Sequence, residues 1–246
     1  MSTPSAGPQS TRPAESVPTV LIPGLLCTPR LYAAQLPALW RFGQVAVADH
    51  TRDDSVAGIT RRLLAAAPPR FALVGLSMGG YTAFEVMRVA PDRVVRLALL
   101  DTAARADTPE QSERRRGLMA CAREGRFAEV FEPLFQSWVH RGHRADASLR
   151  EIVKGMADDT GPEAFVRQQM AIMTRPDSRP GLAAIRCPAL VLVGDGDEST
   201  PPDRAAEIAD AIPGARLVTV PDAGHLTTLE QPERVTRALV EWMEAR

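Results

Sequence analysis

Phe71-Ala72-Leu73-Val74-Gly75-Leu76-Ser77-Met78-Gly79-Gly80 decides the reading of this chain. It begins as a short apolar strand, passes through Gly-x-Ser-x-Gly, and continues as a helix through Met87. A strand that turns this sharply into a helix holds the turn residue in a strained conformation and points its side chain off the strand's end. Glycines two before and two after Ser77 leave room where strand and helix nearly touch. The turn also aims the Met78 N–H, at the helix start, at any negative charge that develops on an atom bound to Ser77. By chance such a string would turn up in roughly one chain in twenty of this size. Its context removes the coincidence: a strand precedes it, a helix follows it, and acid and histidine candidates come later in the order Ser, Asp, His.

Outward from that stretch the pattern is regular. Strands are expected over 18–22, 44–48, 94–100, 189–194 and 215–220, with helices over 28–40, 55–67, 203–211 and from 231 onward. This alternation is that of repeated βαβ units, and it predicts an α/β fold with a mostly parallel, doubly wound sheet. Active sites of such sheets lie beyond the strands' C-terminal ends, where Leu25, Asp49, Ser77, Asp101, Asp195 and Asp197 all fall. Between about residues 105 and 182 the strand-like runs stop, and helical stretches over 109–124, 127–140, 147–158 and 162–174 replace them. An all-helical insertion leaving one strand end and returning to the next sits over Ser77 as a cap. The expected organisation is therefore a disordered tail over 1–17, a core over 18–104 and 183–246, and a helical cap over 105–182.

Composition narrows the classes of function. A chain of 246 residues with 45% hydrophobic residues and a net charge of −1 is a globular protein with no electrostatic footprint for nucleic acid or an anionic membrane. Cys27, Cys121 and Cys187 are odd in number and widely spaced, which fits a reducing compartment better than a disulfide framework or a metal site. With no transmembrane-length apolar run and no signal-peptide core after Met1, a cytoplasmic location is expected. No motif stands behind a metal or nucleotide cofactor, so none is expected.

A serine hydroxyl needs a base to take its proton as it attacks. Of His50, His140, His143 and His225, the last lies in a Gly-His loop after the final strand, at the same sheet edge as Ser77. His50 reads as a structural loop residue, and His140 and His143 as solvated surface. The imidazole needs a carboxylate to fix its tautomer; Asp195 and Asp197 are both in the right loop, with Asp101 a third choice. Glu230 reads as an anchor for the last helix. The two backbone donors of an oxyanion hole are the N–H groups of Met78 and of Leu25, in the loop Pro23-Gly24-Leu25. Cys27 reads as a small residue beside that loop. Arg114, Arg115 and Arg116 read as a solvated helix face, with recognition of a carboxylate substrate as the alternative.

These motifs make the chain similar to the α/β-hydrolases. Gly75-Leu76-Ser77-Met78-Gly79-Gly80 resembles the family's nucleophile elbow, Val193 to Pro201 its acid loop, and Ala223 to Pro232 its histidine loop. The resemblance covers about residues 18–104 and 183–246. It implies the triad Ser77, Asp197 and His225, an acyl-enzyme mechanism, and a core of about six strands that begins at the third of the family's usual eight. Many relatives have His-Gly where this chain has Pro23-Gly24, which keeps the backbone donor but changes what supports the loop. Leu100 to Arg105 is similar to the corresponding segment of 3-oxoadipate enol-lactonases. The function implied is hydrolysis of a small ester, thioester or lactone, by a monomer or homodimer whose partner is a small acyl substrate. Two alternatives use the same triad: a C–C bond hydrolase or lyase-like enzyme, and a slow ligand-sensing protein.

Overall fold

The computed structural model describes residues 16–245. The tail expected over residues 1–17 lies outside them except for Ser16 and Val17, and Val17 already joins the fold, its N–H donating to the Phe42 carbonyl at 2.8 Å.

Six strands, β1 (Thr19–Ile22), β2 (Val45–Val47), β3 (Phe71–Leu76), β4 (Val94–Leu100), β5 (Ala189–Gly194) and β6 (Arg216–Val220), form one sheet in the order β2-β1-β3-β4-β5-β6. Every pairing in it is parallel. Apolar residues alternate across the central strands as a sheet covered on both faces requires. Ala72, Val74, Leu76, Leu190 and Leu192 face one side, where they meet α1 (Leu36–Trp40) and α10 (Pro232–Glu244) through Leu39, Val235, Leu239 and Trp242. Phe71, Leu73, Leu97, Leu99, Val191 and Val193 face the other. There they pack on Leu63 of α2 (Val56–Ala66), Ala83 and Val86 of α3 (Met78–Val89), and Ile208 of α8 (Pro202–Ala211).

From β1 the chain crosses to β2 on one side, and from β3 to β4 on the other. The sheet's switch point therefore lies between β1 and β3, and the crevice beyond their C-terminal ends is where a ligand fits such a sheet. Pro23-Gly24-Leu25 and Ser77 are the loops at those two ends.

The segment expected as one helix over 28–40 is instead a 3-10 turn (Pro29–Tyr32) followed by the short α1. Pro29 and Pro37 sit at the first turn of each piece, where the missing N–H costs nothing. Between β4 and β5 come α4 (Pro109–Arg123), α5 (Ala128–Trp138), α6 (Ala147–Met173) and the short α7 (Arg179–Leu182). The stretch α6 is two helices joined at Gly161, whose φ of 75° breaks the helical path just before Pro162.

A buried charge cluster fastens this insertion to the core. The Asp107 carboxylate, 1% exposed, accepts from Arg115 of α4 at 2.6 Å and from Arg175, after α6, at 2.6 Å. Arg115 also donates to Gln169 at 2.9 Å, and Arg175 to the Ile172 carbonyl at 2.7 Å. The Arg175 guanidinium then stacks 4.0 Å from the centre of the Tyr81 ring on α3. Removing one member of such a cluster strands buried charge on the others, typically at about 3–5 kcal/mol. Asp107→Ala is expected to destabilise the protein by about 3 kcal/mol or more, which thermal denaturation would register as a drop in Tm of about 6–12 °C.

Candidate active site

Ser77 holds the turn between β3 and α3 with φ 55° and ψ −114°, a region non-glycine residues rarely enter. Its N–H donates to the Leu100 carbonyl at 2.9 Å, and its carbonyl accepts from the Thr102 hydroxyl at 2.8 Å, so the end of β4 fixes the strained turn from both sides. Side chains at Gly75 and Gly79 would drive a Cβ into backbone, at Gly79 and at Ile22 respectively. Only glycine lets strand, helix and the β1 loop come this close.

The turn delivers the Ser77 hydroxyl to His225: Oγ lies 2.8 Å from Nε2, and Nδ1 on the ring's far side lies 2.8 Å from Asp197 Oδ2. The carboxylate accepts the Nδ1 hydrogen, which leaves Nε2 bare toward the hydroxyl. Asp197 Oδ1 accepts the N–H groups of Ser199 at 2.8 Å and Thr200 at 2.9 Å, and Oδ2 the Thr200 hydroxyl at 2.8 Å. Histidine and carboxylate are both buried, so the pair sits in a low dielectric where its attraction is little screened.

The other carboxylates separate cleanly. Asp195 Oδ1 accepts the Ala223 N–H at 3.3 Å and serves as a turn residue between two loops. Asp49 accepts from Thr51 and Arg52 within its own exposed loop. Asp101 is wholly buried, with φ 45°, and makes no hydrogen bond to His225 among the described residues. It accepts the Gly194 N–H at 3.1 Å, the Thr227 hydroxyl at 2.6 Å and the Thr227 N–H at 3.4 Å. It thus ties the strand that leads to Asp197 and the loop that carries His225 to the end of β4. Glu230, on α9 (Thr227–Glu230), encloses the same loop from outside. Its Oε1 accepts the Gly224 N–H at 2.9 Å, and its Oε2 accepts the His140 N–H at 2.8 Å and His143 Nδ1 at 3.0 Å. His143, read from sequence as solvated, is therefore bound to a buried carboxylate. The His225 N–H donates to the Trp138 carbonyl at 2.6 Å, so α5 ends on the histidine loop.

The β1 loop presents Leu25 to the same site, and no hydrogen bond is made by the N–H of Leu25 or of Met78 among the described residues. With no His-Gly in the loop, its support comes from afar. His50 Nε2 donates to the Gly24 carbonyl at 2.9 Å, the Tyr32 hydroxyl to the Ile22 carbonyl at 2.9 Å, and the Leu26 N–H to Gln168 Oε1 on α6 at 3.0 Å. Burial pushes the His50 imidazole below its usual range, which keeps it a neutral donor at pH 7. The sequence carries no local signal for Tyr32 or Gln168; only the fold brings them to the loop. Burial pushes the Cys27 thiol up to about 12, so this sulfur stays protonated beside the loop and is a packing residue.

Above Ser77 lies a pocket of about 220 Å³, walled by Leu25, Tyr81, Leu118, Leu134, Trp138 and Ile172 with Gln111, Arg114 and Arg115 at its polar side. The arginine run divides three ways. Arg115 belongs to the buried cluster, Arg116 pairs with Glu113 on the surface, and Arg114 faces the pocket without an ion pair among the described residues. Among the described residues no group of three or more His, Cys, Asp or Glu is arranged to hold a metal ion, and no helix is long and apolar enough to cross a membrane.

An all-parallel sheet with a strained serine turn after its third strand, and a serine, histidine and aspartate in line, defines a hydrolase-type α/β fold. Comparison agrees. The family model described as the Alpha/beta hydrolase family matches residues 15–238, and the chain belongs to that family, as a hydrolase enzyme. A Mycobacterium tuberculosis protein carrying the name non-heme bromoperoxidase BpoC is 30% identical over 194 residues, 72% of this chain and 68% of its own length. The thermophilic esterase of Thermogutta terrifontis, solved with malate bound, superposes with a TM-score of 0.84 at 31% identity, over 92% of this chain and 89% of its own. The enol-lactonase of Burkholderia xenovorans LB400 also gives 0.84, at 25% identity, over 97% of this chain and 94% of its own.

Burial and the neighbouring Asp197 charge push the Asp101 carboxyl well above the usual carboxylate range, against the hydrogen bonds it accepts. In the unfolded chain an aspartate loses its proton near pH 3.9. Above that pH the folded state binds more protons, and stability falls as pH rises toward the folded value, by up to about 1.4 kcal/mol per pH unit. Asp101→Asn removes this slope. Its stability relative to wild type is expected to improve from pH 4.5 to pH 7.5, as read by urea denaturation at both values; a constant difference would mean that Asp101 ionises normally.

Proposed function

We propose that this chain hydrolyses a small ester, thioester or lactone through an acyl-enzyme on Ser77, with Ser77, His225 and Asp197 as its triad. One observation carries the reading: an unbroken line of hydrogen bonds, 2.8 Å from Ser77 Oγ to His225 and 2.8 Å from His225 to Asp197, at the mouth of the sheet's switch point. His225 Nε2 takes the Ser77 proton as Oγ bonds to the substrate carbonyl carbon, and Asp197 steadies the imidazolium through Nδ1. The carbonyl oxygen, now negative, turns to the free N–H groups of Leu25 and Met78. His225 then gives its proton to the departing oxygen or sulfur as that bond breaks. Water enters, loses a proton to His225, attacks the acyl-serine, and releases the acid with Ser77 restored.

The helical insertion acts as a cap in this reading, because Leu118, Leu134 and Trp138 close the pocket over Ser77. The esterase and the enol-lactonase named above support ester and lactone substrates, and Arg114 at the pocket wall suits a substrate that carries a carboxylate. A polar pocket of about 220 Å³ favours a small reacting group. The substrate is a free small molecule; nothing in the chemistry of the site calls for a cofactor.

Hydrolysis of p-nitrophenyl acetate tests the proposal. Ser77→Ala is expected to lower kcat by about a thousandfold or more, and to abolish the acyl adduct that mass spectrometry detects in the wild type. Asp197→Asn is expected to lower kcat by roughly ten-thousandfold while leaving KM close to wild type. Undiminished turnover by Ser77→Ala would sink the serine mechanism. A single burst with a lasting adduct would point to a ligand sensor.

A further inference from the structure

A second cavity, of about 420 Å³, shares Tyr81 with the pocket over Ser77. Tyr81 is the one residue whose side chain belongs to both linings. The arrangement follows from helix geometry. Ser77 precedes α3 in a non-helical conformation; within the helix, residues three, four and seven positions on from Tyr81 share its face, and these are Phe84, Glu85 and Arg88, all in the wall of the second cavity. The opposite wall is the segment returning from α6 to β5, with Ser178, Leu182 and Ile185. Between the two linings stands the Tyr81 ring, with the Arg175 guanidinium stacked on it and held in turn by Asp107.

The chemistry of the walls selects the occupant. Tyr81, Phe84, Met87, Leu182 and Ile185 present hydrocarbon. The charged groups are already matched: Glu85 with Arg88 through two bonds of 2.7 Å, Arg175 with Asp107 at 2.6 Å, and Asp177 with Arg179. A cavity whose ions are paired with each other offers an ionic ligand little and an aliphatic chain much. The pocket over Ser77 is smaller than the roughly 300–1,000 Å³ of common ligand sites, while the second cavity falls within that range. The Tyr81 hydroxyl makes no hydrogen bond among the described residues, so packing and the Arg175 guanidinium over its face are what hold the ring in place.

We propose that this cavity is a subsite for the aliphatic chain of the substrate, entered from Ser77 past the Tyr81 ring, and that Tyr81 sets the chain length accepted. This rests on Ser77 being the nucleophile. Ser178 is half-buried in the cavity wall with a hydroxyl that makes no hydrogen bond among the described residues, so a tryptophan there fills the space. The measurement is the ratio of kcat/KM for a medium-chain over a short-chain substrate, taken in two series: p-nitrophenyl octanoate against acetate, and octyl against ethyl acetate. Ser178→Trp is expected to lower the ratio roughly tenfold or more in one series, which also tells whether the acyl or the alcohol chain enters. Tyr81→Ala is expected to raise the ratio in that same series. A ratio unmoved by Ser178→Trp in both series would overturn the subsite. Loss of the Ser77 reading would show differently, as acetate hydrolysis surviving Ser77→Ala. Binding without turnover gives an independent readout: octanoate titrated calorimetrically into Ser77→Ala protein should bind, and should lose affinity when Ser178→Trp is added. Equal affinity in both would also overturn it.

Discussion

The structure depends on one strained residue. A serine at φ 55° costs roughly 1–3 kcal/mol, and the surroundings must over-determine such a conformation for it to persist. Here the constraint comes from β4. The Leu100 carbonyl holds the Ser77 N–H and the Thr102 hydroxyl holds the Ser77 carbonyl, so the strand beside Ser77 fixes the turn. Glycines then let α3 descend close enough to β1 that the Pro23-Gly24-Leu25 loop reaches the same point in space. The sheet order completes the site: β1 and β3 are neighbours and supply Leu25 and Ser77, whereas Asp197 and His225 follow β5 and β6. Between the two pairs stands β4, and Asp101 at its end holds both of the further loops. The strand that strains the serine also sets the distance to its partners.

Much of this was legible in the sequence, because the features concerned are local. A buried strand, its turn glycines and the helix behind it are read within ten residues, and so is the apolar period of each strand. Ser77, Asp197 and His225 each sit in a short loop at a strand end, and parallel topology brings strand ends to one edge. What stayed illegible depends on side chains meeting across large separations. Nothing near Gln168 indicates that its amide will hold the Leu26 N–H, and nothing near Tyr32 that it will hold Ile22. Arg114, Arg115 and Arg116 are identical residues in succession, yet 100° of helical rotation per residue sends one into a pocket, one into a buried ion cluster and one to the surface. The break between Tyr32 and Leu36 was likewise hidden, since leucines at helical spacing look the same in one helix or in two short pieces.

Asp107 and Glu230 show how polar groups organise the same region differently. Each is a buried carboxylate facing several donors, so each satisfies the demand that buried charge be paired. Asp107 collects two guanidinium groups from α4 and the end of α6; Glu230 collects backbone N–H groups from the histidine loop and from the segment after α5. One locks helices to the core by charge, the other shapes a loop by hydrogen bonds.

The bond from the His225 N–H to the Trp138 carbonyl bears on how substrate arrives. A cover that swings like a door would have to tear α5 from the histidine of the proposed triad, and would misplace the imidazole each time it opened. The opposite edge is riveted at Asp107. The roof is therefore fastened along two sides, at the histidine loop and at Asp107. Under a roof held this way, the proton relay proposed for Ser77, His225 and Asp197 keeps its alignment as the site fills and empties.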